Sequence, residues 1–118
     1  MSTPCLDPDR LAEIASLEAF RPGFRDRLIA LFQAAVEQQL PLCVGEIETT
    51  AAQRKQAAHA LKGAASGIGA THLAALAQQL EHLAKSSAAA WPEPSALKLA
   101  ASEAMLALRE WSAASSVS

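Results

Sequence analysis

Apolar residues return every three or four positions along this chain, in one stretch after another, and that spacing belongs to helices. Phe24, Leu28, Leu31, Phe32, Ala35, Val36 and Gln39 or Leu40 make one such stripe. Ala58, Leu61, Ala65 and Ile68 make a second, with Arg54 contributing its stem. Leu73, Leu76, Ala77, Leu80, Leu83 and Ala84 make a third, and Leu97, Ala101, Ala104, Met105, Leu108 and Trp111 a fourth. Each stripe gives a helix one face to bury. A strand would need alternation at every second residue, and β-branched residues are sparse. Alanine and leucine dominate, with Gln and Glu among the rest, and all four are strong helix formers.

Punctuation in the sequence sets the boundaries. Asp7 followed by Pro8 starts a short first helix that runs to about Leu17. Arg21-Pro22-Gly23 breaks the chain before a long helix from Phe24. Pro41 is expected to bend that helix, with the pattern resuming at Leu42 and reaching Ile47; a loop at Pro41 and Gly45 is the competing reading. Thr49 or Thr50 caps a third helix from about Ala51 to Ile68, which Gly69 stops. A fourth helix spans about 71–86, Ser86-Ser87 and the Trp91–Pro94 stretch form a loop, and Pro94 and Ser95 open the last helix. The tail, residues 113–118, is expected to fray. The sum is all-α: an antiparallel four-helix bundle with a short additional N-terminal helix, one domain over 1–118 with its ordered core at about 6–112.

A length of 118 residues fits one domain with a core of its own. The formal charge of −2 offers no general attraction to nucleic acid or to a membrane surface. No run approaches the roughly 18 apolar residues of a membrane span, and the start of the chain does not read as a secretory signal. A soluble, cytoplasmic protein is the expectation, either free-standing or the cytoplasmic end of a membrane-bound receptor. Cys5 and Cys43 are far apart, form no CxxC and are expected to be reduced, with Cys43 in the core.

The third helix carries the chemistry. Within a turn or two of His59 on its own side lie Lys55, Gln56, Lys62, Gly63 and Ser66, none of them a large apolar residue. His59 therefore sits on the wet side of the helix, at the edge of the apolar stripe. A water-exposed imidazole is largely neutral at pH 7 and nucleophilic through one ring nitrogen. From Thr49 to Leu80 there is no Asp or Glu, whereas Arg54, Lys55 and Lys62 fall in the same stretch. The expectation is a positive patch free of carboxylates, in which an anion at His59 meets cations. Gly63 removes a side chain beside the ring and lets another protein approach closely. Mid-helix glycine costs roughly 1 kcal/mol against alanine, and Gly67 adds to that cost.

HALKGAASGIG, residues 59–69, resembles the histidine-containing phosphotransfer (HPt) domains of bacterial two-component phosphorelays. RLIALF upstream and GATHLAALAQQLEHLAK downstream also look like the family's pattern, so the likeness covers roughly residues 6 to 90. The resemblance implies a four-helix bundle with the histidine exposed on a middle helix. It implies that His59 accepts and releases a phosphoryl group, that Lys62 steadies it and that Gly63 permits docking. Lys55, Ser66 and Gly67, on the same side of the helix, are read as the surrounding binding patch. Gln56 either hydrogen-bonds near the phosphoryl group or is merely wet. Gly67 departs from the pattern, which often has a larger polar residue there. The implied partners are receiver domains of response regulators and a hybrid sensor histidine kinase. No nucleic acid, no direct membrane contact and a monomer are expected.

No acidic pocket for Mg²⁺ is expected near His59, and no Walker A or kinase signature occurs. The expectation is a phosphocarrier rather than an independent catalyst, with no cofactor of its own, no ATP-dependent kinase activity, and Mg²⁺ supplied on the receiver. His72 and His82 read as solvent-facing or junction residues, and the histidine gaps do not match a metal site. Two other readings stay open here. One is an HPt-like module that docks a receiver, or another signalling protein, without carrying phosphate. The other is an ordinary helical scaffold in which HALKG is coincidental.

Overall fold

The structure is a computed structural model that describes the backbone of residues 5–85 and 94–116, and side-chain surroundings for 5–82 and 95–114. The described residues form five helices and no strand: α1 (Pro8–Phe20), α2 (Phe24–Cys43), α3 (Ala51–Ile68), α4 (Thr71–Lys85) and α5 (Pro94–Ser116). The starts of α1 and α3 are capped by their own neighbours. The Asp7 side chain accepts the Asp9 amide at α1. At α3, Thr50 Oγ1 accepts the Gln53 amide at 3.1 Å while Gln53 Oε1 accepts the Thr50 amide at 2.9 Å, a reciprocal capping box. Gly69, at φ 84°, ends α3 in the left-handed region that glycine enters without strain.

Three boundaries differ from the sequence expectation. α1 continues to Phe20 rather than stopping near Leu17, because Glu18 in its last turn caps α2: its carboxylate accepts the amides of Gly23 at 2.9 Å and Arg25 at 2.7 Å. α2 keeps Pro41 inside it yet ends at Cys43 and not at Ile47. Gly45 takes φ 78° there, the Glu46 amide closes onto the Pro41 carbonyl, and Ile47 is left 52% exposed. α5 is helical to Ser116, beyond residue 113 where fraying was expected. The expected core places of Leu83 and Ala84, and the loop at Ser86-Ser87 and residues 91–93, lie outside the described surroundings.

α3 packs between α2 and α4, α5 closes against both of those, and α1 lies on α2. Ile14, Phe32, Leu61, Leu73, Leu80, Leu97 and Leu108 are fully buried where these faces meet. Buried Ala57, Ala58, Ala65, Ala77, Ala100, Ala101 and Ala104 let the helices come close. Leu31, expected in the inward stripe of α2, is instead 61% exposed, since the stripe is wider than the face α2 buries. Cys5 and Cys43 are free thiols; Cys43 is buried, and burial pushes its pKa up to about 11. No helix among the described residues is long and apolar enough to cross a membrane.

The start of α1 is tied to the α3–α4 turn. The Asp7 amide donates to the Gly69 carbonyl at 2.7 Å, and Arg10 Nε donates to the Gly67 carbonyl at 2.7 Å. A Cβ on Gly69 would sit 3.1 Å from Arg10 Cβ, so glycine is needed there for space as well as for its φ.

Two stability effects follow. Leu61 is fully buried on the inner side of α3, so Leu61→Ala should cost about 2–5 kcal/mol, readable by urea unfolding. The hydrogen bonds from the Arg25 and Gly23 amides hold Glu18 below its ordinary pKa. A carboxylate lowered on folding adds stability above its unfolded pKa and loses it as pH falls through the folded one. The melting temperature should therefore drop on acidification below about pH 4.5, the ordinary glutamate value. Glu18→Gln should flatten that drop in a thermal series from pH 6 to pH 2.5; an unchanged slope would remove Glu18 from the account.

Candidate functional site

The capping box fixes where α3 begins, and the buried Ala58, Leu61, Ala65 and Ile68 fix its rotation. Together they turn His59 outward, with 68% of its side chain exposed. The turn at Gly69-Ala70 then folds α4 back along α3. Glu81 arrives opposite His59, with Oε1 2.9 Å and Oε2 3.3 Å from Nδ1. Lys62, one turn further along α3, places Nζ 3.0 Å from Glu81 Oε2. One carboxylate, only 12% exposed, thus holds both the ring and the ammonium.

This corrects the expected carboxylate-free patch. The acid-free window of sequence ends at Leu80, one residue short of Glu81, and α4 carries that residue into the site. Lys62 is consequently not a solitary cation but a partner of Glu81. Glu81 is held below the ordinary carboxylate range, first by the Lys62 hydrogen bond and then by that of His59, against burial, which pushes the other way.

The pairing assigns the two ring nitrogens. An ionised carboxylate only accepts hydrogen bonds, so Nδ1 donates its N–H to Glu81. In the neutral ring the lone pair then lies on Nε2, which makes no hydrogen bond among the described residues. A carboxylate behind one nitrogen fixes the tautomer and the plane of the ring.

Lys55, Gln56, His59, Ala60 and Glu81 line an open depression around the ring. Gln56 is exposed there, and no hydrogen bond joins it to His59. Gly63 and Gly67 lie on the α2 side, in a groove with Arg10, Leu28, Leu31 and Phe32. A Cβ built on either glycine meets nothing within 4 Å, so neither is required by packing within the chain. The Gly67 carbonyl accepts from Arg10, which satisfies one of the last carbonyls of α3. Ser66 is exposed and lines neither hollow.

The other histidines stand apart. His72 is half-buried at the start of α4, and His82 lines a separate hollow with Ala75, Gln78 and Gln79. No group of three or more His, Cys, Asp or Glu among the described residues is placed to hold a metal ion.

Comparison with known proteins gives one positive result. The family model described as Hpt domain matches residues 15–111, which takes in α2, α3, α4 and most of α5. Neither the curated proteins nor the solved structures compared with the chain gave a match.

Proposed function

The chain belongs to the Hpt domain family, and on that basis we propose that it is a phosphotransfer intermediate that carries the phosphoryl group on His59. The observation that carries this reading is the orientation of the ring: Nδ1 tied to Glu81, Nε2 directed away from it, most of the side chain in water. Nε2 attacks the phosphorus of a receiver's aspartyl phosphate. The P–O bond breaks, and its electron pair returns to the aspartate. The reverse step delivers the group to a second receiver.

Each neighbour has a place in that exchange. Lys62, on a flexible stem, swings from Glu81 toward the phosphoryl oxygens and offsets their charge. Lys55 adds a second cation at the rim of the depression, and Gln56 lies beside it as a hydrogen-bond donor. Gly63 and Gly67, with the exposed Leu31 beside them, offer a side-chain-free, partly apolar strip on which a receiver can settle close to the ring. Ser66 extends that patch on the outer side of α3. Mg²⁺ and the acceptor aspartate come with the receiver, so the domain contributes position and charge rather than catalysis of its own. In this reading α2–α5 act as an antiparallel four-helix bundle with α1 as the additional helix. The protein works as a cytoplasmic monomer between a hybrid sensor kinase and response regulators, without ATP, nucleic acid or direct membrane contact.

Incubation with ³²P-labelled receiver domains tests it. Label on the chain that is acid-labile and base-stable supports transfer. Binding to receivers without any label favours the docking-only module instead.

A further inference from the structure

Glu81 does more in this geometry than fix a tautomer. With the phosphoryl group on Nε2, the two ring nitrogens leave two protonation states. If Nδ1 keeps its proton, the ring is a cation, and it departs from phosphorus as neutral imidazole. If Nδ1 has lost the proton, the leaving group is imidazolate, which is far poorer. The group facing that proton at 2.9 Å is the Glu81 carboxylate.

We propose that Glu81 is a positioning residue for discharge: it keeps the Nδ1 proton on phosphorylated His59, so that the phosphoryl group leaves a neutral ring. The proposal rests on the phosphocarrier reading of His59. In the step itself an aspartate or water oxygen attacks phosphorus, the P–Nε2 bond breaks, and its electron pair stays on Nε2. The Nδ1–H bond is untouched. In the loading direction the same carboxylate stabilises the ring as it becomes cationic.

The charged groups around the ring set the sign. Glu81 from α4 favours the protonated ring; Lys55 and Lys62 from α3 oppose it. α2 contributes no residue to the depression around the ring. Whether Lys62 rests on Glu81 or has swung to the phosphoryl group, removing it takes away a cation that opposes charge on the ring. Glu81→Gln and Lys62→Met should therefore move the ring in opposite directions, a pattern that general loosening of the helix pair does not produce.

The experiment loads wild type, Glu81→Gln and Lys62→Met with phosphoramidate as phosphoryl donor. It follows Nδ1–H by ¹⁵N NMR and loss of phosphohistidine to water by ³¹P NMR, between pH 5 and pH 10. The wild-type ring should keep its Nδ1 proton to about one pH unit higher than Glu81→Gln, the lower end for a nearby opposite charge. Above both midpoints the phosphoryl group should leave Glu81→Gln about tenfold more slowly, as one pH unit implies, and below both the rates should converge. Lys62→Met should hold the proton to higher pH than wild type. Superimposed Nδ1 titrations in wild type and Glu81→Gln, or a Lys62→Met ring that loses its proton at the wild-type pH or earlier, would overturn the proposal. Should Glu81→Gln not fold, the Lys62→Met result decides alone. Absence of any phosphohistidine at position 59 in wild type would instead remove the phosphocarrier reading itself, and this proposal with it.

Discussion

His59→Gln is expected to take up no phosphoryl group above background from any phosphorylated receiver, while folding as wild type does. Glutamine keeps a polar side chain but has no nucleophilic nitrogen. No other histidine is placed to replace it: His72 is half-buried, and His82 faces a different hollow. The His59 side chain is mostly in water, and Glu81 keeps Lys62 as its partner, so unfolding should shift by no more than about 0.5 kcal/mol. Receiver transfer assays and urea unfolding on the same preparation separate the two. Residual label on the variant would move the acceptor elsewhere.

Gly63→Arg should lower transfer on the order of 100-fold without unfolding the protein. Gly63 lies in the middle of α3 with ordinary helical backbone, and nothing stands within 4 Å of an added Cβ. A side chain there projects outward, and Gly63→Ala should stabilise the helix by about 0.5–1 kcal/mol. The chain therefore retains a helix-weakening residue at a position where its own packing does not demand one. Four residues from His59, an arginine would hold a receiver ångströms away from the ring, and misplacement of about 1 Å is enough to cost 100-fold in a positioned reaction. Receiver transfer rates, with circular dichroism as the folding control, decide it. A folded Gly63→Arg that transfers at the wild-type rate would reject the docking role of this glycine.

Both results depend on features of α3 that were legible in the sequence. Thr50 and Gly69 are local signals, and they bound α3 at 51–68, where the sequence reading placed it. The exposed side of His59 followed from the helical period once those bounds were set. What escaped lay between helices. Glu18 caps a helix other than its own, from five and seven residues away across the Pro22-Gly23 break, a spacing that no capping-box pattern describes. Leu31 continues an apolar period beyond the face that α2 has to bury. Pro41 stays inside α2, as the sequence reading has it, but the helix stops at Cys43 rather than Ile47, with Gly45 in the left-handed region just beyond.

Glu81 is the instructive omission, because a signal for it existed. His59 and Glu81 are 22 residues apart, and their midpoint is residue 70, in the turn between α3 and α4. Two antiparallel helices joined by a tight turn bring such symmetric positions opposite each other. Counting charges along the chain missed this; counting outward from the turn would have placed a carboxylate beside the ring.

The central claim is that the Nε2 nitrogen of His59, turned to water because Glu81 holds Nδ1, is the atom that carries the phosphoryl group. Protein with ¹⁵N-labelled histidine, phosphorylated by a receiver and observed by ³¹P–¹⁵N NMR, reads that bond directly. The account predicts one phosphorus nucleus coupled to Nε2 of residue 59. Coupling to Nδ1, coupling to His72 or His82, or no phosphorus–nitrogen bond at all would contradict it.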